Sequence, residues 1–276
     1  MDEQTTTTTA RPGPRSGAVI DAALAEGRKA LVVYLPVGFP TVAGSVEAAR
    51  TAVDAGADVV ELGLPYSDPG MDGEVIQHAT TQALAQGTRV TDVLHAVEEV
   101  ARTGAAVLVM TYYNPVLRYG VERFARDLAN AGGAGLITPD LVPDEADTWV
   151  SAADAHDLDK VFLVAPSSTD ARLAMTATAS RGFVYAASTM GVTGVRSAVD
   201  THARELVSRT REAGAARVCV GLGVSTGEQA AEVAGYADGV IVGSALVRTL
   251  RDPDERASRT ALRSLVEDLA DGVRRH

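Results

Sequence analysis

The sequence predicts an α/β protein built as one (β/α)₈ TIM barrel with an N-terminal helical extension, and three observations carry that prediction. Eight short apolar runs alternate with amphipathic stretches along the chain. The runs are continuously apolar, as strands are in a parallel sheet with both faces covered. A unit of helix end, tight turn and buried strand recurs in "DAGADVVELG" (54–63), "NAGGAGLITP" (130–139) and "VAGYADGVIVG" (233–243). Eight such units in about 250 residues fit a closed barrel. A doubly wound sheet is the alternative. It would normally carry G-x-G-x-x-G after its first strand, and "YLPVGFPT" offers none.

Taken in order, residues 1–16 are polar and rich in Thr, Pro and Gly. They offer nothing to bury and read as a disordered leader. Residues 17–276 read as a single barrel domain, with the N-terminal extension covering the lower end. The strands fall at 30–36, 58–64, 106–112, 134–140, 161–166, 183–188, 217–223 and 239–244. Helical patterns between them include "AGSVEAARTAVDAG", "VTDVLHAVEEVARTG", "VERFARDLANAGG", "VSAADAHDL", "AVDTHARELVSRTREAG" and "TGEQAAEVAG". Most end in Gly or Ala-Gly, which suits C-terminal capping.

Composition narrows the function. The formal net charge of −11 argues against a nucleic-acid surface or an anionic membrane. No apolar run approaches the roughly 18 residues of a membrane span, and the leader lacks the apolar stretch of a signal peptide. One cysteine, Cys219, permits no internal disulfide and fits the cytoplasm. It lies in "RVCVGLGV" and reads as a small core residue rather than a reactive thiol.

In a barrel of this kind the chemistry sits at the C-terminal ends of the strands. The two lysines, Lys29 and Lys160, both precede a strand, so neither is placed for a Schiff base. The five histidines fall in helices or the tail without metal-ligand spacing, and no metal site is expected. What remains is carboxylate and hydroxyl. Glu61 interrupts the apolar run "VVELGL". It is either paired with an arginine or turned outward, or a general acid/base whose pKa burial has raised. Asp72, in the loop that follows, is either a turn residue before Gly73 or a site residue. Gly-rich turns "TMGVTG" (189–194), "GLGVS" (221–225) and "VGSA" (242–245) follow the last three strands. Their backbone N–H groups suit a phosphate without any lysine.

Together these motifs resemble the alpha subunit family of tryptophan synthase over nearly the whole barrel, from "LVVYLPVGFPT" to "VIVGSALV". The most specific match is "ELGLPYSDPGMDG", and "MTYYNP", "PDLVPDE", "YAASTMGVTG", "GLGVS" and "VGSA" follow in the family's order. The resemblance implies retro-aldol cleavage of indole-3-glycerol phosphate to indole and glyceraldehyde 3-phosphate in tryptophan biosynthesis. By the same resemblance Glu61 is the acid/base and Asp72 accepts a hydrogen bond from the indole N–H. Tyr185 orients Glu61, while Gly194, Gly223, Gly243 and Ser244 cradle the phosphate. Thr193 belongs to the closing loop, and Tyr34 encloses the indole ring unless it is plain core. No cofactor is implied on this chain, pyridoxal phosphate being expected only on a partner beta subunit in an α₂β₂ complex.

Three positions depart from the family pattern. Gly70 replaces a bulky apolar residue, Glu74 replaces Pro, and Phe39 stands where many members carry Asp. Gly70 should loosen its loop, and the Glu74 charge should raise the pKa of Asp72. Because this loop touches the beta subunit in the family, two alternatives stay open. One is a stand-alone lyase releasing free indole. The other is a catalytically silent phosphate-ligand-binding barrel that regulates a partner.

Overall fold

The computed structural model describes residues 13–187, 196–221 and 223–275, without the side chains of 196–200. Eight strands close into a barrel in sequence order, β1 (Ala30–Pro36), β2 (Val59–Gly63), β3 (Ala106–Met110), β4 (Gly135–Thr138), β5 (Asp159–Val164), β6 (Val184–Ala187), β7 (Val218–Gly221) and β8 (Gly239–Val242). Every neighbouring pair is parallel, and β8 closes on β1 through Val32 opposite Ile241.

Helix α1 (Ser16–Ala25) precedes β1, and α2 (Val42–Asp54) links it to β2. After β2 come α3 (Glu74–Ala85) and α4 (Val90–Ala101), and after β3 come α5 (Tyr113–Tyr119) and α6 (Val121–Asn130). Then follow α7 (Asp147–Ala155), α8 (Asp170–Ala179), α9 (Arg196–Glu212) and α10 (Gly227–Ala234), one per connection. Helices α11 (Ser244–Thr249) and α12 (Glu255–Gly272) complete the outer layer. Several start on a side-chain cap, as where Thr41 accepts from Gly44 N and Asp254 from Ala257 N.

The period-two alternation of strand side chains divides the core in two. Leu31, Val33, Leu35, Val60, Leu62, Val107 and Val109 face outward and pack against the helices. Val32, Val59, Leu108, Ile137, Val161, Phe183, Cys219 and Ile241 fill the barrel interior. Ile20 of α1 joins the inner set from below, fully buried, so the extension closes the lower end. Burying that one side chain contributes about 1.5–3 kcal/mol. Polar contacts hold α1 in place: Asp159 accepts from Ser16 N at 2.9 Å and Ser16 Oγ at 2.6 Å, and Arg217 pairs with Asp21.

The structure corrects one placement. Lys160 does not precede its strand but lies inside β5, because the ladder begins two residues earlier than the apolar run does. It stays at the lower end, with Nζ 2.6 Å from Asp154 of α7. For the same reason α7 stops at Ala155 and His156 caps it rather than lying within it.

Candidate active site

Glu61 is the third residue of β2, between inward-facing Val59 below and Gly63 above. It lies opposite Tyr34 on one side and Leu108 on the other. Its exposure is 0%, and neither carboxyl oxygen has a hydrogen-bond partner among the described residues. Among the described residues no arginine pairs with it. Burial alone lifts its pKa from 4.5 to about 8, because the charged form has lost water and gained nothing in return.

Above Glu61 opens a cavity of about 740 Å³ at the C-terminal ends of the strands. That is ample for a small aromatic phosphate ester. Asp72 reaches it from the loop between β2 and α3, and burial raises its pKa from 3.8 to about 6. Glu74, the first residue of α3, is solvent-exposed and contributes nothing to that shift. The expected charge effect of Glu74 on Asp72 is thereby replaced by desolvation. Gly70 is exposed, and a Cβ there would meet no atom within 4 Å. Phe39 is buried and set edge-on to His78.

Tyr34 and Tyr185 stand on either side of the floor. Both phenols have pKa values well above the ordinary range, first through burial and then through the neighbouring carboxylates. Both phenols therefore stay neutral. Each leans across a glycine on an adjacent strand: a Cβ at Gly63 would strike the Tyr34 hydroxyl, and one at Gly221 the Tyr185 hydroxyl. Gly223 sits at φ 69°, where a side chain would be strained. Gly243 and Ser244 form the start of α11, and both line the cavity with Gly223. No lysine or arginine lines it among the described residues.

Glu61, Asp72, Tyr185, Tyr34, Gly223, Gly243 and Ser244 are thus brought to one cavity. Thr193 and Gly194 lie outside the described residues. Sequence patterning does not single out Met110, Leu163 and Ile241, whose inward-facing side chains form the apolar wall. Each sits at the inward parity near a strand's upper end, a signal readable only once the strand's first residue is known.

A family model described as tryptophan synthase alpha chain matches residues 20–274. The chain belongs to the tryptophan synthase alpha chain family. The tryptophan synthase alpha chain of Mycobacterium intracellulare is 60% identical over 260 residues, 94% of each chain. That of Mycobacterium tuberculosis is 58% identical over 260 residues, again 94% of each. A crystal structure of tryptophan synthase from M. tuberculosis in its aminoacrylate-bound form superposes with a TM-score of 0.86 at 54% identity, covering 94% of this chain and 99% of that one. Tryptophan synthase subunit alpha from Legionella pneumophila has the same TM-score at 30% identity, covering 96% and 99%. Membership makes the protein a lyase of tryptophan biosynthesis, and the unpaired acid at the cavity floor lies within its most specific motif.

Proposed function

We propose that Glu61, Asp72 and Tyr185 carry out the cleavage of indole-3-glycerol phosphate to indole and glyceraldehyde 3-phosphate, the lyase reaction of this family. One observation supports the assignment above all: Glu61 is fully buried at the cavity floor, and neither oxygen has a partner among the described residues. A carboxyl with a pKa of about 8 holds its proton near neutrality and can release it to a basic carbon.

The protonated Glu61 gives its proton to indole C3, which becomes tetrahedral and leaves positive charge on the ring nitrogen. Asp72 accepts the indole N–H and stabilises that charge. The Glu61 carboxylate then takes the proton of the glycerol hydroxyl next to C3. The oxygen's electrons form the aldehyde, the carbon–carbon bond breaks, and its electron pair restores the indole ring. One proton enters and one leaves, so Glu61 ends as it began. Tyr185 orients Glu61 by packing beside it, and Tyr34 with the apolar wall encloses the ring. Gly223, Gly243 and Ser244, with Gly194, hold the phosphate by backbone N–H groups and hydroxyl, and Thr193 belongs to the loop that closes over the substrate. No cofactor of this chain's own enters these steps.

A partner beta chain carrying pyridoxal phosphate, in an α₂β₂ assembly, belongs to the same proposal. Two large apolar side chains in the segments that follow β2 and β3 are exposed, Met71 at 47% and Leu117 at 54%, and a partner docked there would cover them. A cytoplasmic setting is supported by the single buried, unpaired cysteine. No described helix is long and apolar enough to cross a membrane.

The test is indole release from indole-3-glycerol phosphate by the purified protein, alone and with a tryptophan synthase beta chain. Slow release that rises with the partner is the expected result. Fast release that ignores the partner would select the stand-alone lyase. No release under either condition would overturn the catalytic reading.

A further inference from the structure

We infer that Tyr112 is a positioning residue: its hydroxyl oxygen accepts the backbone N–H of Met71 and so fixes the next residue, Asp72, at the cavity. The consequence for turnover rests on the reading of Asp72 given above. The hydrogen bond itself does not.

The loop that carries Asp72 is tied to β3 at its root. Leu64 N donates to Met110 O at 3.0 Å, and Thr111 Oγ1 donates to Leu64 O at 3.4 Å. Its far end enters α3 at Gly73. Between these ends Asp72 is flanked by Gly70 and Gly73, and a Cβ at either glycine would meet nothing within 4 Å. The two glycines add no packing of their own, and two in four residues leave the backbone free. The contact that reaches across from the barrel is Met71 N to Tyr112 Oη, at 2.8 Å.

Tyr112 is well placed to hold a loop. It is 8% exposed and caps the start of α5, where Tyr113 N donates to the Asp140 carboxylate at 2.9 and 3.2 Å. Its ring packs against Tyr66 at 5.2 Å between centroids, and Asn114 Nδ2 donates to the Tyr66 hydroxyl at 3.4 Å. Residues 112–114 thus grip the loop at two points, Tyr66 and Met71. Burial raises the Tyr112 pKa, while the amides of Met71 and Asp72 both pull it down, as donors to a phenol oxygen do. The groups that sense the Asp72 charge are phenols, Tyr34 of β1, Tyr185 of β6 and Tyr112 itself. With no cation among the described residues drawing Asp72 into place, its position depends on the backbone, which Tyr112 holds at Met71 N and Gln77 Nε2 at Asp72 O, at 2.7 Å.

Tyr112→Phe keeps the ring and its contact with Tyr66 and deletes the acceptor. Loss of one hydrogen bond predicts a fall in kcat for indole release of about 10-fold, with KM changed much less. In an Asp72→Asn background the same change should cost less than about 2-fold, since both substitutions disable one function. Amide hydrogen exchange supplies a readout independent of turnover. Exchange at Met71 and Asp72 should quicken about 10-fold in Tyr112→Phe, with β2 amides unchanged. Unchanged exchange at those two amides, or a full 10-fold loss in the Asp72→Asn background, would overturn the inference. A wild-type protein that releases no indole would instead sink the catalytic reading, and exchange would still decide whether Tyr112 holds the loop.

Discussion

Buried carboxylates at the two ends of the barrel are treated in opposite ways. At the lower end Asp159 accepts Ser16 N and Oγ, with Arg181 Nε 3.8 Å away. Nearby, Asp238 accepts Val218 N at 2.8 Å and Arg211 at 2.7 Å, and Asp58 accepts Leu31 N and Arg28, each at 2.9 Å. At the upper end Glu61 is buried as deeply as any of them and has no partner among the described residues. An unpartnered buried acid costs several kcal/mol if it ionises, so a purely structural role would have supplied a partner. The lower acids tie α1, the loops and the strand starts together. The upper one is kept available.

The sharpest way to break this contrast is Glu61→Gln, which keeps the shape and removes the titratable proton. Indole release should fall about 10²–10⁴-fold while the fold survives, checked by circular dichroism beside the assay.

A second effect follows from linkage. The folded Glu61 carboxyl holds its proton up to a pKa of about 8, against 4.5 when solvated. Between those values the folded state binds a proton that the unfolded chain has lost. Raising the pH through that window therefore destabilises the wild type, by at most about 1.4 kcal/mol per unit. Below 4.5 both states are protonated and the effect vanishes. Urea unfolding at pH 5 and pH 9 should show Glu61→Gln gaining on the wild type at the higher pH, and parallel curves would contradict the assignment.

Asp72→Asn keeps the size of the side chain and loses its charge. About 100-fold in kcat is the expected cost, as for loss of one preorganised electrostatic group, with no loss of stability at neutral pH because burial already disfavours the charge. Asp159→Ala should do the reverse. Stability should fall by about 1–3 kcal/mol through the unpaired Ser16 groups, with kcat per folded molecule unchanged. Equal damage to turnover and stability in both variants would erase the distinction between the two ends.

The sequence makes the lower, structural half of this comparison hard to read and the upper half easier. All eight strands are visible because each is a continuous apolar run, and Glu61 stands out as the lone charge within one. Asp159, by contrast, sits just before its apolar run, and nothing local announces that Ser16, 143 residues earlier, will meet it. The role of Asp72 rests on resemblance, since Asp-Gly is an ordinary turn. Tyr112 is visible only as a letter in "MTYYNP", because its function is a hydrogen bond to a loop 41 residues away. The Glu74 expectation fails for the same reason: proximity in sequence says nothing about which way a helix start will face.

The central claim is that Glu61 keeps its proton because it is buried and unpaired. Carbon-13 NMR titration of the Glu61 carboxyl, assigned by its loss in Glu61→Gln, tests this directly. A midpoint near 8 is the predicted result, and a midpoint near the ordinary 4.5 would contradict the account.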